Sequence, residues 1–177
     1  MRRIVVTGGP GAGKTTLLAA LRARGHKTVD ESARAIIRER LASGLSPRPP
    51  PLEFARQILE RDIIKYQQPP ELDRVFFDRG VVEALWMVNQ AAPLEARELR
   101  ARLSQYPYDR RVFVLPPWET IYTTDSERDQ TFADAVQVHD TLVRWYRECE
   151  YEVIDVPTGT VAERCAHVLR ALAVSDA

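Results

Sequence analysis

The stretch "GGPGAGKT", Gly8 to Thr15, places two glycines, a lysine and a threonine in the spacing G-x-x-x-x-G-K-[ST]. That spacing suits phosphate. The glycines let successive backbone N–H groups turn inward, and a helix starting at the lysine adds the partial positive charge of its N-terminus. Lys14 is expected to bridge the β- and γ-phosphates of a nucleotide, with Thr15 on a Mg²⁺ ion. Gly9, Gly11, Ala12, Gly13 and Thr16 complete the expected cradle.

A second group of chemical residues lies in "FFDRG", Phe76 to Gly80, where an apolar run ends abruptly in an acid and a base. Asp78 is placed to hold Mg²⁺, directly or through water. In ATP-hydrolysing motors a glutamate commonly follows this aspartate and polarises water. Here Arg79 stands there, and arginine cannot act as a base; it can clamp an anion or a substrate hydroxyl. "DRG" therefore favours a held phosphoryl acceptor over a held water. A third group, "DESAR", brings Asp30 and Glu31 to the end of another apolar run, with Arg34 one helical turn beyond Glu31. Either acid, or Asp78, could accept a proton from the acceptor. Asp30 could equally cap the next helix and Glu31 complement its dipole. A fourth candidate is Arg128 in "TDSERDQ", placed to reach a transferring phosphate from a closing loop.

Something must bring these groups together, and the pattern of elements says what. Apolar strand candidates run from Arg3 to Thr7, His26 to Asp30, Arg74 to Asp78, Arg111 to Leu115 and Tyr151 to Val156. They are short and do not alternate, as expected for parallel strands covered on both faces. Helical patterns lie between them: Thr16 to Arg24, about Glu53 to Tyr66, and roughly 131 to 148. The last helix opens on Thr160 and Glu163 with capping-box spacing. The expectation is an α/β fold, a doubly wound parallel sheet of five strands, whose C-terminal strand ends carry the ligand. Residues 44 to 52 are proline-rich and predict irregular chain, with no chemistry assigned to 47–51; residues 116 to 130 predict a polar lid loop. Both fall inside one sheet, so residues 1–177 are read as a single domain.

The whole-chain properties narrow the function. A formal net charge of zero gives no reason to expect nucleic acid or an acidic membrane surface. Three lysines stand against 22 arginines, most of them attributable to base composition. Cys149 and Cys165 are too far apart for a redox motif and are read as buried thiols; the three histidines show no ligand spacing. No run approaches the length of a membrane span, and the expected location is the cytoplasm. No Asn-Lys-x-Asp occurs, so ATP is expected rather than GTP, with Pro157-Thr158-Gly159 either at the adenine edge or only a helix cap.

Taken in order, "TGGPGAGKTT", "ESAR", "FFDRG", "VFVLPP" and the arginine of "SERDQ" resemble the small P-loop ATPase and kinase family AAA_28. That family includes the ribosylnicotinamide kinase domains of bacterial NadR-like proteins. The resemblance runs from Arg3 to about Leu172. It implies the kinase-like strand order 2-3-1-4-5, ATP–Mg²⁺ as cofactor, and site roles for Glu31, Arg34, Asp78, Arg79 and Arg128. The expected activity is a small-molecule kinase acting on a hydroxyl of a nucleoside-like or other small polar metabolite. Arg34 and Arg79 would hold that acceptor. The alternative from another class is an ATP-binding switch or partner-dependent ATPase.

Overall fold

Ile4, Val5 and Val6 are all fully buried, although alternate side chains of a strand point to opposite faces. The strand that carries them, β1 (Arg2–Gly8), must therefore be covered on both sides. In the computed structural model, which describes residues 2–68, 73–123 and 131–173, it lies at the centre of a parallel sheet. The other strands are β2 (Lys27–Val29), β3 (Arg74–Asp78), β4 (Arg111–Leu115) and β5 (Glu152–Asp155). Their order is β2-β3-β1-β4-β5, as the resemblance implies, and every pairing is parallel. The register sets Val6 beside Asp78 and Gly8 beside Leu115, so the phosphate loop and the "DR" pair emerge from the same edge.

The two faces hold separate cores. Ile4, Val6, Phe76, Phe113 and Leu115 pack against α1 (Lys14–Ala23) and α7 (Val161–Ala173). Val5, Val75, Phe77, Val112 and Val114 face the larger core. There they meet α2 (Ser32–Ala42), α3 (Pro51–Gln67), α4 (Val81–Ala91) and α6 (Phe132–Glu148), while α5 (Ala96–Gln105) packs against α4. Each fully buried Phe, Val or Ile contributes about 1.5–3 kcal/mol relative to exposure. Burial on both faces explains why the strands read as unbroken apolar runs. The last helix begins as its spacing predicts: Thr160 N–H donates to Glu163 Oε2 (2.8 Å), and Glu163 N–H donates to Thr160 Oγ1 (3.3 Å).

Several expectations change. The proline-rich stretch is not irregular to its end, because Pro51 and Leu52 already belong to α3. Proline at the first helical position gives up an N–H that would have had no partner there, and its φ is already helical. β2 and β5 are shorter at both ends than their apolar runs. Cys165 is buried, but Cys149 only partly so, and both thiols are free. A short 3-10 turn, Glu119–Ile121, occupies part of the expected lid. No helix among the described residues is long and apolar enough to cross a membrane.

Candidate functional site

The phosphate loop joins β1 to α1 without a spare residue, so its geometry is local. Gly13 occupies the N-cap of α1 at φ 81°, in the left-handed region. A Cβ there would be strained at that φ and would press on Arg164 Nη1 at 2.8 Å, so conformation above all favours glycine. No side chain caps α1, which leaves its first N–H groups for an anion. Thr15 and Thr16 are exposed at its start. Lys14 is only 7% exposed, and its Nζ donates to the carbonyls of Gly8 (2.8 Å) and Gly9 (2.9 Å). Burial, with the Arg79 charge adding to it, pushes the lysine down to about 8 against the pull of nearby carboxylates.

Around Lys14 stands a buried charge cluster. Arg79 has φ 66°, uncommon for a non-glycine, and its N–H donates to Val6 carbonyl (3.1 Å). Its Nη1 hydrogen-bonds Glu83, and its Nη2 donates to Gly8 carbonyl (3.2 Å). Its Nε lies 3.1 Å from Glu31 Oε1, an ion pair whose alignment falls short of a hydrogen bond. Burial opposes charge on Arg79, but Glu83 and Glu31 more than offset it and hold the guanidinium firmly protonated. Gly80 follows at φ 149°, and a Cβ on it would come within 2.5 Å of Tyr108 Oη. The pairing differs from the simple reading of "DR". Arg79 is gripped by glutamates, while Asp78 Oδ1 is buried with no hydrogen-bond partner among the described residues.

That orphaned oxygen fits a cation. Burial pushes Asp78 up to about 6, and Lys14 only partly counters it, so a divalent ion alongside would restore the ionised form. Glu31 behaves in the opposite way. Burial pushes it up, but Arg79, Lys14 and Arg34 together hold it below the usual carboxylate range. Glu31 occupies the N-cap position of α2 without a side-chain cap bond, its Oε2 lying 3.5 Å from Arg34 Nε. Asp30, the other acid of that segment, is mostly exposed, neither capping α2 nor facing Lys14, and pairs with Arg22 at 2.8 Å.

Lys14, Glu31, Arg34 and Arg79 line one cavity of about 590 Å³. Its remaining walls come from α2, α3 and α4, with Pro10, the proline-rich Arg48 and Pro49, and Val138 of α6; Ile37, Phe54, Ile58, Trp86 and Met87 supply apolar surface. The volume lies within the common range for small-ligand sites. Arg128 lies outside the described residues.

The model of the AAA_28 family, an AAA domain, matches residues 3–164. The chain belongs to that family. Comparison with curated proteins gives no match. Solved structures with similar folds include deoxyadenosine kinase from M. mycoides, at TM-score 0.66 and 16% identity, covering 97% of this chain and 99% of that one. Thymidylate kinase from Candida albicans matches at TM-score 0.65 and 14% identity, covering 99% and 92%. Shikimate kinase from Acinetobacter baumannii, in complex with shikimate, matches at 0.64 and 16%, covering 99% and 94%. At these identities the likeness establishes the fold.

Three buried polar residues of this AAA_28 chain escape a reading of motifs at strand ends. Glu83, 3% exposed, accepts from Thr7 Oγ1 (2.6 Å) and Tyr146 Oη (3.2 Å) while pairing with Arg79. Arg164, also 3% exposed, reaches from α7 to donate to Ala12 carbonyl (2.9 Å), its guanidinium 5.6 Å from the centre of the Trp118 ring. Asp62, 7% exposed, accepts from Ser32 Oγ and lines the cavity. The available signal was common to all three: a charged residue set in the apolar stripe of a helix, where it must find a partner.

Proposed function

We propose that this protein is an ATP-dependent small-molecule kinase, transferring the γ-phosphoryl group of ATP to a hydroxyl of a nucleoside-like or other small polar metabolite. The observation that carries the reading is continuity: the lysine of the phosphate cradle and the Glu31–Arg79 pair line the same cavity. A hydrolase needs only water beside the γ-phosphate; a cavity of this size beside it suits an acceptor. The kinase folds that the chain resembles support the same reading.

In the proposed reaction the acceptor oxygen attacks the γ-phosphorus. The bond from that phosphorus to the β,γ-bridging oxygen breaks, ADP leaves, and the hydroxyl proton passes to Glu31 or Asp78. Glu31 is ionised at neutral pH and lines the acceptor cavity; Asp78, raised to about 6 by burial, would lose that basicity on holding a dication, which favours Glu31 as the base. Lys14 stabilises the charge on the β- and γ-oxygens. Thr15 and Asp78 would hold Mg²⁺, which supplies further neutralisation of phosphate charge when bound. Arg34, at the cavity wall, is the cation with the freer geometry for holding the acceptor, since Arg79 is already bonded to Glu83.

The test is ADP formation from ATP–Mg²⁺ in the presence of single hydroxyl-bearing metabolites, with Lys14→Ala as control. Stimulation by particular compounds that Lys14→Ala abolishes supports the kinase. ADP formation indifferent to every compound overturns it and leaves the partner-dependent ATPase or switch.

A further inference from the structure

Helix α3 presents Phe54, Ile58 and Asp62, four residues apart, to the acceptor cavity. The stripe is apolar until its last member, and that member is a carboxylate. Among the described residues the hydrogen-bond partner of Asp62 is Ser32, whose hydroxyl donates to Oδ1. Lys65 is near, but its ammonium donates to Asp30 carbonyl (2.6 Å) and Ser32 Oγ (2.8 Å) instead. Among the described residues Oδ2 has no donor, and it belongs to a side chain lining the cavity, where a ligand can reach it. Burial pushes this carboxyl up to about 6, with the Ser32 bond and Lys65 only partly opposing it, and Glu83 and Glu31 raise it further. A neutral side chain would tie α2 to α3 through Ser32 equally well and without that cost, so the carboxylate needs another explanation. A donor arriving in the cavity supplies one.

The walls beside it define what carries the donor. Ile37, Phe54, Ile58, Trp86 and Met87 make much of the lining apolar, while Arg34, Arg48 and Gln90 add polar groups, so a ring with a few polar substituents fits it better than a polyol. A flat, largely apolar ring suits the two aromatic side chains.

We propose that Asp62 is the specificity-determining residue of the acceptor pocket, accepting a hydrogen bond from an N–H donor on a heteroaromatic ring of the acceptor. The inference rests on the kinase reading and gives it a substrate class: a nucleoside whose base carries an exocyclic amine. The sugar hydroxyl would lie toward Lys14 and Arg79 and the base against α3.

The test uses pairs of ribonucleosides that differ only in that amine: adenosine with purine riboside, and cytidine with 2-pyrimidinone riboside. ADP formation is followed with the full-length wild type and with Asp62→Asn. In the wild type, the amine-bearing member of at least one pair should show kcat/KM at least about tenfold above its partner. In Asp62→Asn that ratio should fall to near one, the loss falling mainly on KM. A tie between α2 and α3 alone would leave the ratio unchanged in Asp62→Asn. Equal turnover of both members in the wild type overturns the assignment whether or not the variant folds, and so does a preference that survives in folded Asp62→Asn. If no nucleoside stimulates but another hydroxyl compound does so in a Lys14-dependent way, the Asp62 assignment falls and the kinase reading stands. If no compound stimulates, both fall.

Discussion

The phosphate cradle and the acceptor wall meet at Lys14 but are built on opposite principles. The cradle is one continuous segment between β1 and α1, and its lysine bonds carbonyls five and six residues away. Its anion-binding capacity comes from backbone N–H groups and a helix end, both set by the local chain, with Arg164 of α7 bracing the loop at the Ala12 carbonyl. The wall is assembled from separate helices. Its Ser32–Asp62 bond spans 30 positions, and the Thr7–Glu83 bond spans 76. Its buried carboxylates Glu83 and Asp62 take hydrogen bonds from Thr7 and Ser32, which lie on other elements. One region can lose function without losing the fold; in the other, function and fold share the same side chains.

The sharpest test of that contrast is Lys14→Ala. Phosphoryl transfer should fall by about a hundredfold or more, since a charge aimed at the transferring phosphate is lost. The melting temperature should change little, because burial already disfavours the charged lysine and holds it at about 8. Steady-state kinetics and a thermal melt decide it; an unfolded variant would erase the distinction between the regions. Glu83→Ala should show the converse. It leaves Arg79 with a buried charge short of its main partner, and breaking such a pair costs about 3–5 kcal/mol of stability. Denaturant unfolding should record that loss together with reduced activity. Glu83→Gln, which still accepts from Thr7 and Tyr146, should recover part of it.

Asp62→Asn sharpens the comparison through pH. Burial raises the folded carboxyl from 3.8 to about 6, so the native state holds this proton more tightly than the unfolded chain does. The stability that this proton contributes at low pH is lost as pH rises through about 6. At about pH 8 Asp62→Asn should therefore be the more stable protein, by up to about 3 kcal/mol, with the difference disappearing below about pH 4. Melts at those two values check it, and a variant less stable than wild type at the higher pH would refute the burial argument. The smallest effect is a control distant from the acceptor wall. Thr160→Ala removes the α7 capping box and should cost about 1 kcal/mol. Nucleotide affinity, measured by titration with a fluorescent ATP analogue, should stay at the wild-type value.

Much of this architecture is legible in the residues because its causes are local or periodic. Unbroken apolar runs such as Ile4-Val5-Val6 announce strands covered on both faces, and "GGPGAGKT" announces the turn between strand and helix. Thr160 and Glu163 announce the start of α7 from their spacing alone. The ends of β2 and the start of α3 were less legible. β2 pairs with only the three central residues of β3, and proline's fitness for a first helical turn decides the start of α3.

For the site itself, amino-acid order determined the cradle: glycines where the backbone turns, and a lysine at the first position of the helix they lead into. It also delivered Glu31, Asp78 and Arg79 to the strand ends. Order did not determine which acid answers which base. Tertiary structure added Glu31 to the local Arg79–Glu83 pair, left Asp78 with an oxygen that has no partner among the described residues, and turned Asp62 from a helix stripe into a cavity wall. The reason is physical. A backbone nest is made by neighbours in the chain, whereas the partner of a buried charge is whichever opposite group the packing of other elements brings within reach.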